Sequence, residues 1–439
     1  MEEEINYQKE NILFISNEQI DIDSDEYKNK EEYDKLKIRS KIEPWLTAIF
    51  QSEHLSLLVG QGLSIALSDA GNLMSKMEFN NEVYKSKINN MADEEAKNMR
   101  GCSANFEDTF RVAMELLKGY EILGDLDNMR NLEDEINEQL KKFLTGIIEG
   151  EKKFLKKVQD EASKKDGENL LMLLKNFLIS FASRTATRDR LNIFTTNYDR
   201  FIEYGLDEAG ILILDRFIGK LKPIMRFHRI DLDYHYNPPG IRGEPRYVEG
   251  VVRFAKLHGS IDWEFDGDRI VKTPISFGEM PNEDFFKNPF EKVVIYPNSS
   301  KAVETAFFPY SELFRDFSTA ICRPNSVLVT YGYGFGDSHI NRIILDMLTI
   351  PSTHLVIISR DLAYGRIKRF IKQCNLSQLT LLIGKDLADF SILTKFYLPK
   401  PAIDRITERQ VAILEKRGKL SKENDNNIFP IKEGVNSEL

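Results

Sequence analysis

Leu55-Ser56-Leu57-Leu58-Val59-Gly60-Gln61-Gly62-Leu63-Ser64 is the stretch on which the reading of the fold turns. The apolar run Leu55 to Val59 reads as a buried strand, and Gly60-x-Gly62-x-Ser64 then opens a helix. Glycines at such a turn allow a tight change of direction. They also let a pyrophosphate approach backbone N–H groups at a helix N-terminus. The third glycine of a full dinucleotide fingerprint is missing, with Ala66 and Leu67 near its place. An ordinary strand-to-helix turn is therefore the competing reading.

Two more polar strand ends lie far along the chain. Thr195-Thr196-Asn197-Tyr198-Asp199 follows the apolar run Leu191 to Phe194, and Leu257-His258-Gly259-Ser260 follows Val251 to Phe254. Each has a plain explanation: Asp199 as a helix cap, Asn197 as a turn residue, His258 as a structural histidine. Yet ligands of open α/β sheets bind outside the carboxyl ends of the strands. Three such ends are thus expected to meet in one crevice, where an imidazole is well placed for proton transfer near neutral pH. A fourth stretch, Val327 to Asp337, runs a late strand into a loop containing Gly332, Gly334 and Gly336. Backbone without side chains there would pass beside a ribose or base, with helix capping by Asp337 and Ser338 as the alternative. His54, His228, His235 and His354 have no neighbours at metal-ligand spacing, so no metal is expected.

Around these motifs strands alternate with helices. A helix is expected from about Lys41, and strands over Leu191 to Thr195, Val251 to Leu257, Val293 to Tyr296, Ser326 to Tyr331, His354 to Ile358 and Leu379 to Leu382. Helices over 198–209, 308–322, 338–348 and 363–374 separate them, and Asp266-Gly267 marks a hairpin turn. This pattern predicts an α/β fold: a Rossmann-like, mostly parallel sheet with helices on both faces. Residues 104–185 contain no proline and repeat apolar residues at helical spacing, as in Phe106, Phe110, Ala113, Met114 and Leu117. They read as a large helical insertion. The expected organisation is an acidic arm over 1–40, the sheet domain over 41–103 and 186–400, and a helix (405–417) with a tail over 401–439.

The chain has 439 residues and a net charge of −9, and its first 40 residues hold twelve acidic and six basic side chains. Those 40 residues read as a flexible arm with an apolar island at Ile12 to Ile15. No basic footprint marks a dedicated nucleic-acid binder, so no direct nucleic-acid binding is expected. No run approaches the roughly 18 apolar residues of a membrane span, and Met1-Glu2-Glu3-Glu4 lacks the cationic start of a secretory signal. Cys102, Cys322 and Cys374 are too few and scattered for a disulfide framework or zinc ribbon. A reduced, cytoplasmic protein is expected.

Taken together, Gly60 to Ser64, Thr195 to Asp199, Lys256 to Ser260 and Tyr331 to Phe335 resemble the sirtuin-like superfamily. Phe335-Gly336-Asp337-Ser338-His339-Ile340-Asn341 resembles its bacterial defence branch in particular. The resemblance spans roughly residues 40 to 400. It implies that NAD is the substrate, that Gly60, Gly62 and Ser64 cradle its phosphates, and that Gly332 and Gly334 line the adenosine end. It further implies that Asn197 orients the nicotinamide ribose and a water, that Thr196 and Asp199 complete that pocket, and that His258 is the base. The paired Cys-x-x-Cys zinc ligands of sirtuin deacetylases are absent, Thr196 stands where a glutamine usually precedes the asparagine, and the Phe-Arg pair after the first loop has no counterpart. NAD cleavage needs only the shared pocket. The expectation is an NAD glycohydrolase acting as a triggered, NAD-depleting effector of antiphage defence, homo-oligomeric and with a HerA-type hexameric ATPase as the suggested partner. A non-catalytic NAD or ADP-ribose sensor is the alternative, ahead of a DNA-acting enzyme or a deacetylase.

Overall fold

In the computed structural model the described residues are 5–29, 32–69, 77–100, 104, 106–162, 169–185, 187–227, 233–236, 246–266, 269–287, 292–294 and 309–400. The helix and tail expected after residue 400 lie outside them. Nine strands form the main sheet: β1 (Ile12–Ile15), β2 (Glu18–Ile20), β3 (His54–Val59), β4 (Asn192–Thr195), β5 (Leu212–Leu214), β6 (Val251–Lys256), β7 (Ser326–Tyr331), β8 (His354–Ser359) and β9 (Leu379–Ile383). Their order is β2-β1-β9-β8-β7-β3-β4-β6-β5. From β9 to β5 every neighbouring pair is parallel. The chain builds outward from β3 in both directions, so β3 and β7 flank the point where strand order reverses. Crevices at carboxyl ends form at such points.

Strands buried on both faces need apolar side chains at nearly every position, and the central strands have them. Leu55, Leu57 and Val59 of β3 face one core together with Val327, Val329 and Tyr331 of β7. Leu58 and Leu328 face the other. Helices α1 (Lys35–Phe50), α6 (Leu170–Ala182) and α7 (Phe201–Glu208) cover the first face. The opposite face is covered by α8 (Tyr310–Ile321), α9 (Ser338–Leu348) and α10 (Arg366–Ile371). Helix α1 begins earlier than its apolar spacing suggested, because Asp34 accepts from the backbone N–H groups of Leu36 and Lys37 and caps it.

Three expectations are corrected. The acidic N-terminal segment is not a free arm over residues 12–20. All four residues of β1 are buried, and the strand pairs antiparallel with β9 and with β2. Ile12 and Phe14 enter one core, Leu13 and Ile15 the other, so this short apolar run closes an otherwise open sheet edge. The strand expected near Val293 also lies elsewhere. Lys292–Val294 pairs antiparallel with Gly259–Asp266 in a separate five-stranded sheet that contains the predicted hairpin to Arg269–Lys272. Finally, the helices between β3 and β4 divide differently. Helices α3 (Glu82–Arg100), α4 (Phe106–Leu123) and α5 (Leu126–Ala162) share a third core through Tyr84, Ile88, Phe110, Ile136 and Leu140. Helix α6 leaves that bundle and lays Leu173, Leu174, Phe177 and Phe181 on the sheet.

One ion pair fastens the bundle to the sheet domain. Glu151 of α5 is fully buried and accepts from Nη2 of Arg200 at 2.7 Å, from its Nε at 3.1 Å and from its backbone N–H at 3.0 Å. Arg200 also donates to the carbonyls of Ile275 and Ser276, at 2.7 and 3.1 Å. Truncating one partner strands the other charge in a dry interior. Glu151→Ala is expected to cost about 3–5 kcal/mol, read as a fall in the denaturant midpoint. A loss below about 1 kcal/mol would contradict the fastening role.

A second stability device sits between α1 and the sheet. The Trp45 indole N–H donates to the Thr380 hydroxyl at 2.9 Å, and that hydroxyl lies 2.8 Å from Nε2 of His354. The hydroxyl has two lone pairs and one proton, so it can serve the indole and the imidazole at once. Burial lowers the His354 pKa from 6.5 to about 4. A depressed histidine stabilises the fold above its unfolded pKa, and that stability is lost as pH falls from about 6.5 through about 4. The loss should reach about 3 kcal/mol. In His354→Gln the denaturation midpoint should vary less with pH across that window, and an unchanged slope would exclude His354 as its source.

Candidate active site

The carboxyl ends of four adjacent strands lie on one line. Tyr331 of β7 pairs with Val59 of β3, Val59 with Thr195 of β4, and Thr195 with Lys256 of β6. The next residues continue the ladder into the loops. Gly60 N–H donates to the Tyr331 carbonyl at 3.0 Å, Thr196 N–H to Val59 at 3.1 Å, and Leu257 N–H to Thr195 at 2.8 Å. The four sequence motifs therefore begin at the same level of the sheet, side by side.

Gly60, Gly62 and Gly332 are required by one close contact. A Cβ on Gly60 would stand 2.6 Å from the Gly332 carbonyl oxygen and from the Tyr333 Cα. A Cβ on Gly62 would stand 2.5 Å from the Gly332 Cα, and Gly332 itself has φ +61. Gly62 N–H donates to the Gly332 carbonyl at 3.0 Å. The amides of both glycines thus join the first loop to the last, and helix α2 (Gln61–Ser68) starts from that junction. Gly334 differs, since a Cβ there would meet the flexible Arg366 guanidinium at 3.0 Å.

Asn197 is buried, and its side chain bridges the first two loops. Its amide donates to the Gly60 carbonyl at 3.0 Å and to the Ser64 hydroxyl at 2.9 Å. The Ser64 hydroxyl in turn donates to Asp199. Both amide protons are committed, so the remaining polar atom of Asn197 is its acceptor oxygen. Thr196 is half-buried at the same strand end. Asp199 is less a helix cap than a partner of Ser64: it accepts from Phe201 N–H only at 3.4 Å. Burial raises the Asp199 pKa, against the opposing pull of Lys256 and Ser64.

His258 occupies the corner where β6 leaves the main sheet and Gly259 (φ +85) starts the small one. It is 3% exposed. Its ring lies 6.4 Å from Tyr198 and 5.8 Å from His339, between centroids. Tyr198 also meets Phe143 of α5 edge-on at 5.5 Å, so the helical bundle touches the site loop directly.

Three functional candidates escaped sequence reasoning. Lys256 is 1% exposed; its ammonium donates to the carbonyls of Tyr198 (3.2 Å) and Asp199, and to Glu203 at 3.0 Å. Burial raises the Glu203 pKa, and Lys256 opposes that shift. A lysine ending a mostly apolar strand was the available signal, because a charge buried there needs partners. Asp337 holds the N-cap position of α9 without a side-chain capping bond, contrary to the capping reading. With His339 it approaches His258, the one cluster of metal-capable side chains among the described residues. No sequence spacing announces that group, which is why none was expected.

Residues 191–379 match the family model for the SIR2-like domain. The match covers Thr196, Asn197, Asp199, His258, Gly332 and Gly334, and the Gly60 to Ser64 loop precedes it. No curated protein matches the chain. Among the described residues no helix is long and apolar enough to cross a membrane.

The glycine contacts make a specific expectation. Gly60→Ala and Gly62→Ala force a methyl into backbone and should each destabilise the fold by about 1–3 kcal/mol or more. Gly334→Ala should shift the melting temperature little, because Arg366 can move. Equal shifts in all three variants would contradict this account of the junction.

Proposed function

We propose that this sirtuin-like protein, whose SIR2-like domain supports an NAD-related activity, cleaves NAD to nicotinamide and ADP-ribose. The observation that carries the reading is the single line of strand ends at the point of strand-order reversal. It places Gly60 to Ser64, Asn197 and His258 on three neighbouring strands. The phosphates would lie at the start of α2, held by groups other than the Gly60 and Gly62 amides, which the Tyr331 and Gly332 carbonyls take, and the Gly332 to Gly334 loop would border the adenosine end.

Departure of nicotinamide leaves an oxocarbenium-like ribose that one water must attack. The acceptor oxygen of Asn197, held by its two donated bonds, would fix that water or a ribose hydroxyl in attack geometry. Ser64 and Asp199 keep the amide from rotating, as positioning residues. His258 would take the proton released as the new C–O bond forms. Buried beside Tyr198, it sits in a setting with little competing water.

Control is proposed to come from assembly, with a homo-oligomer and a HerA-type ATPase as partner, in a defence role that depletes NAD. The contact of Phe143 with Tyr198 supports a route by which forces on the helical bundle reach the site. The sensor alternative predicts ligand binding without chemistry.

The test is nicotinamide release from NAD, measured by chromatography for the protein alone and with its candidate partner. His258→Ala should lower turnover by about 10²–10⁴, and Asn197→Ala should lower it with NAD binding retained. Wild-type rates in both variants would refute the assignment. Binding of NAD by the wild type, with no nicotinamide released under either condition, would favour the sensor.

A further inference from the structure

We infer that His258, Asp337 and His339 form a binding site for a divalent ion of the zinc class. Two elements remote in sequence supply the ligands. His258 stands at the corner after β6, Asp337 at the N-cap of α9, and His339 in the first turn of that helix. One ligand atom from each residue lies within 4.8 Å of the other two. Around a tetrahedral zinc with bonds of about 2.1 Å, ligand atoms stand roughly 3.4 Å apart. Small side-chain rotations close that difference.

The donor set selects the ion. Two imidazoles and one carboxylate suit zinc and other borderline first-row metals, whereas magnesium and calcium take oxygen ligands. Three protein ligands leave a fourth position for water or another molecule, the arrangement of open rather than structural zinc sites. Aromatic rings border the two histidines: Phe314 meets His339 edge-on at 4.6 Å, and Tyr198 lies 6.4 Å from His258. An apolar border of this kind limits water and fixes ring orientation.

One consequence rests on the proposed NAD reaction. A metal on His258 occupies the lone pair that would accept a proton, so ion and general base exclude each other. Zinc would then suppress nicotinamide release, and a chelator would restore it.

Binding itself is tested without reference to activity. The full chain, stripped with chelator and desalted, is titrated with zinc chloride by calorimetry, and retained metal is measured by elemental analysis. The wild type should hold a single ion per chain, and His339→Ala and Asp337→Ala should each bind at least about 100-fold more weakly. No binding by the wild type, or binding as tight as the wild type's in both variants, would overturn the site. Cobalt(II) on the unaltered protein guards against variants that misfold. Imidazole and carboxylate ligation gives ligand-field bands alone, whereas a thiolate charge-transfer band would assign the metal to cysteine and overturn the inference. Zinc binding by a chain that releases no nicotinamide even after chelator has stripped the metal supports this site and counts against the proposed reaction. Nicotinamide release by a chain that binds no zinc does the reverse.

Discussion

Val59 pairs with Tyr331 on one side and with Thr195 on the other, and Thr195 pairs with Lys256. That register is the constraint on which the site depends. Alternate residues of a strand face opposite sides, so a slip of one residue would turn the apolar set of β3 out of its core. The slip would also displace Gly60 from Gly332, whose backbone it touches. Register and glycine placement therefore support each other: the cores hold the strands level, and the level strands bring two loops into backbone contact. Only residues without a Cβ permit that approach, and the start of α2 is aimed by it.

Behind the loops lies a buried polar network, paired throughout its named members except at Oε2 of Glu203. Lys256 donates to two carbonyls of the Asn197 loop and to Glu203, and Asn197, Ser64 and Asp199 form a connected chain. Buried polar groups cost several kcal/mol when left without partners. The same groups, fully paired, hold side chains in single orientations. The sheet domain and the helical bundle meet at this network's edge through Arg200 and Glu151 and through Tyr198 and Phe143. Site geometry and bundle packing are consequently coupled in the same few residues. The helical segment is part of the site's support rather than an appendage to the sheet.

How far the chain could be read depended on how local each signal was. The central strands are apolar on both faces, and β7 runs over the residues expected of it, Ser326 to Tyr331. Helix α9 likewise occupies 338–348. The N-terminal segment misled because the acidic composition of its 40 residues outweighed four apolar ones, Ile12 to Ile15, that a sheet edge could use. Helix α1 was placed late because its start depends on one capping aspartate. For Lys292–Val294, an apolar pattern says that a strand exists but not which sheet it joins, since pairing partners are set by long-range contacts.

Residue order by itself determined that strands end in glycine, asparagine and histidine motifs, and that these belong on a mostly parallel α/β sheet. Those properties follow from side-chain periodicity and backbone freedom, which are local. Tertiary structure alone decided that Gly62 needs its glycine because of Gly332, that Asn197 answers to Gly60 and Ser64, and that His258 faces Asp337 and His339. Such contacts join residues remote in sequence and arise only when parallel crossovers bring strand ends into line.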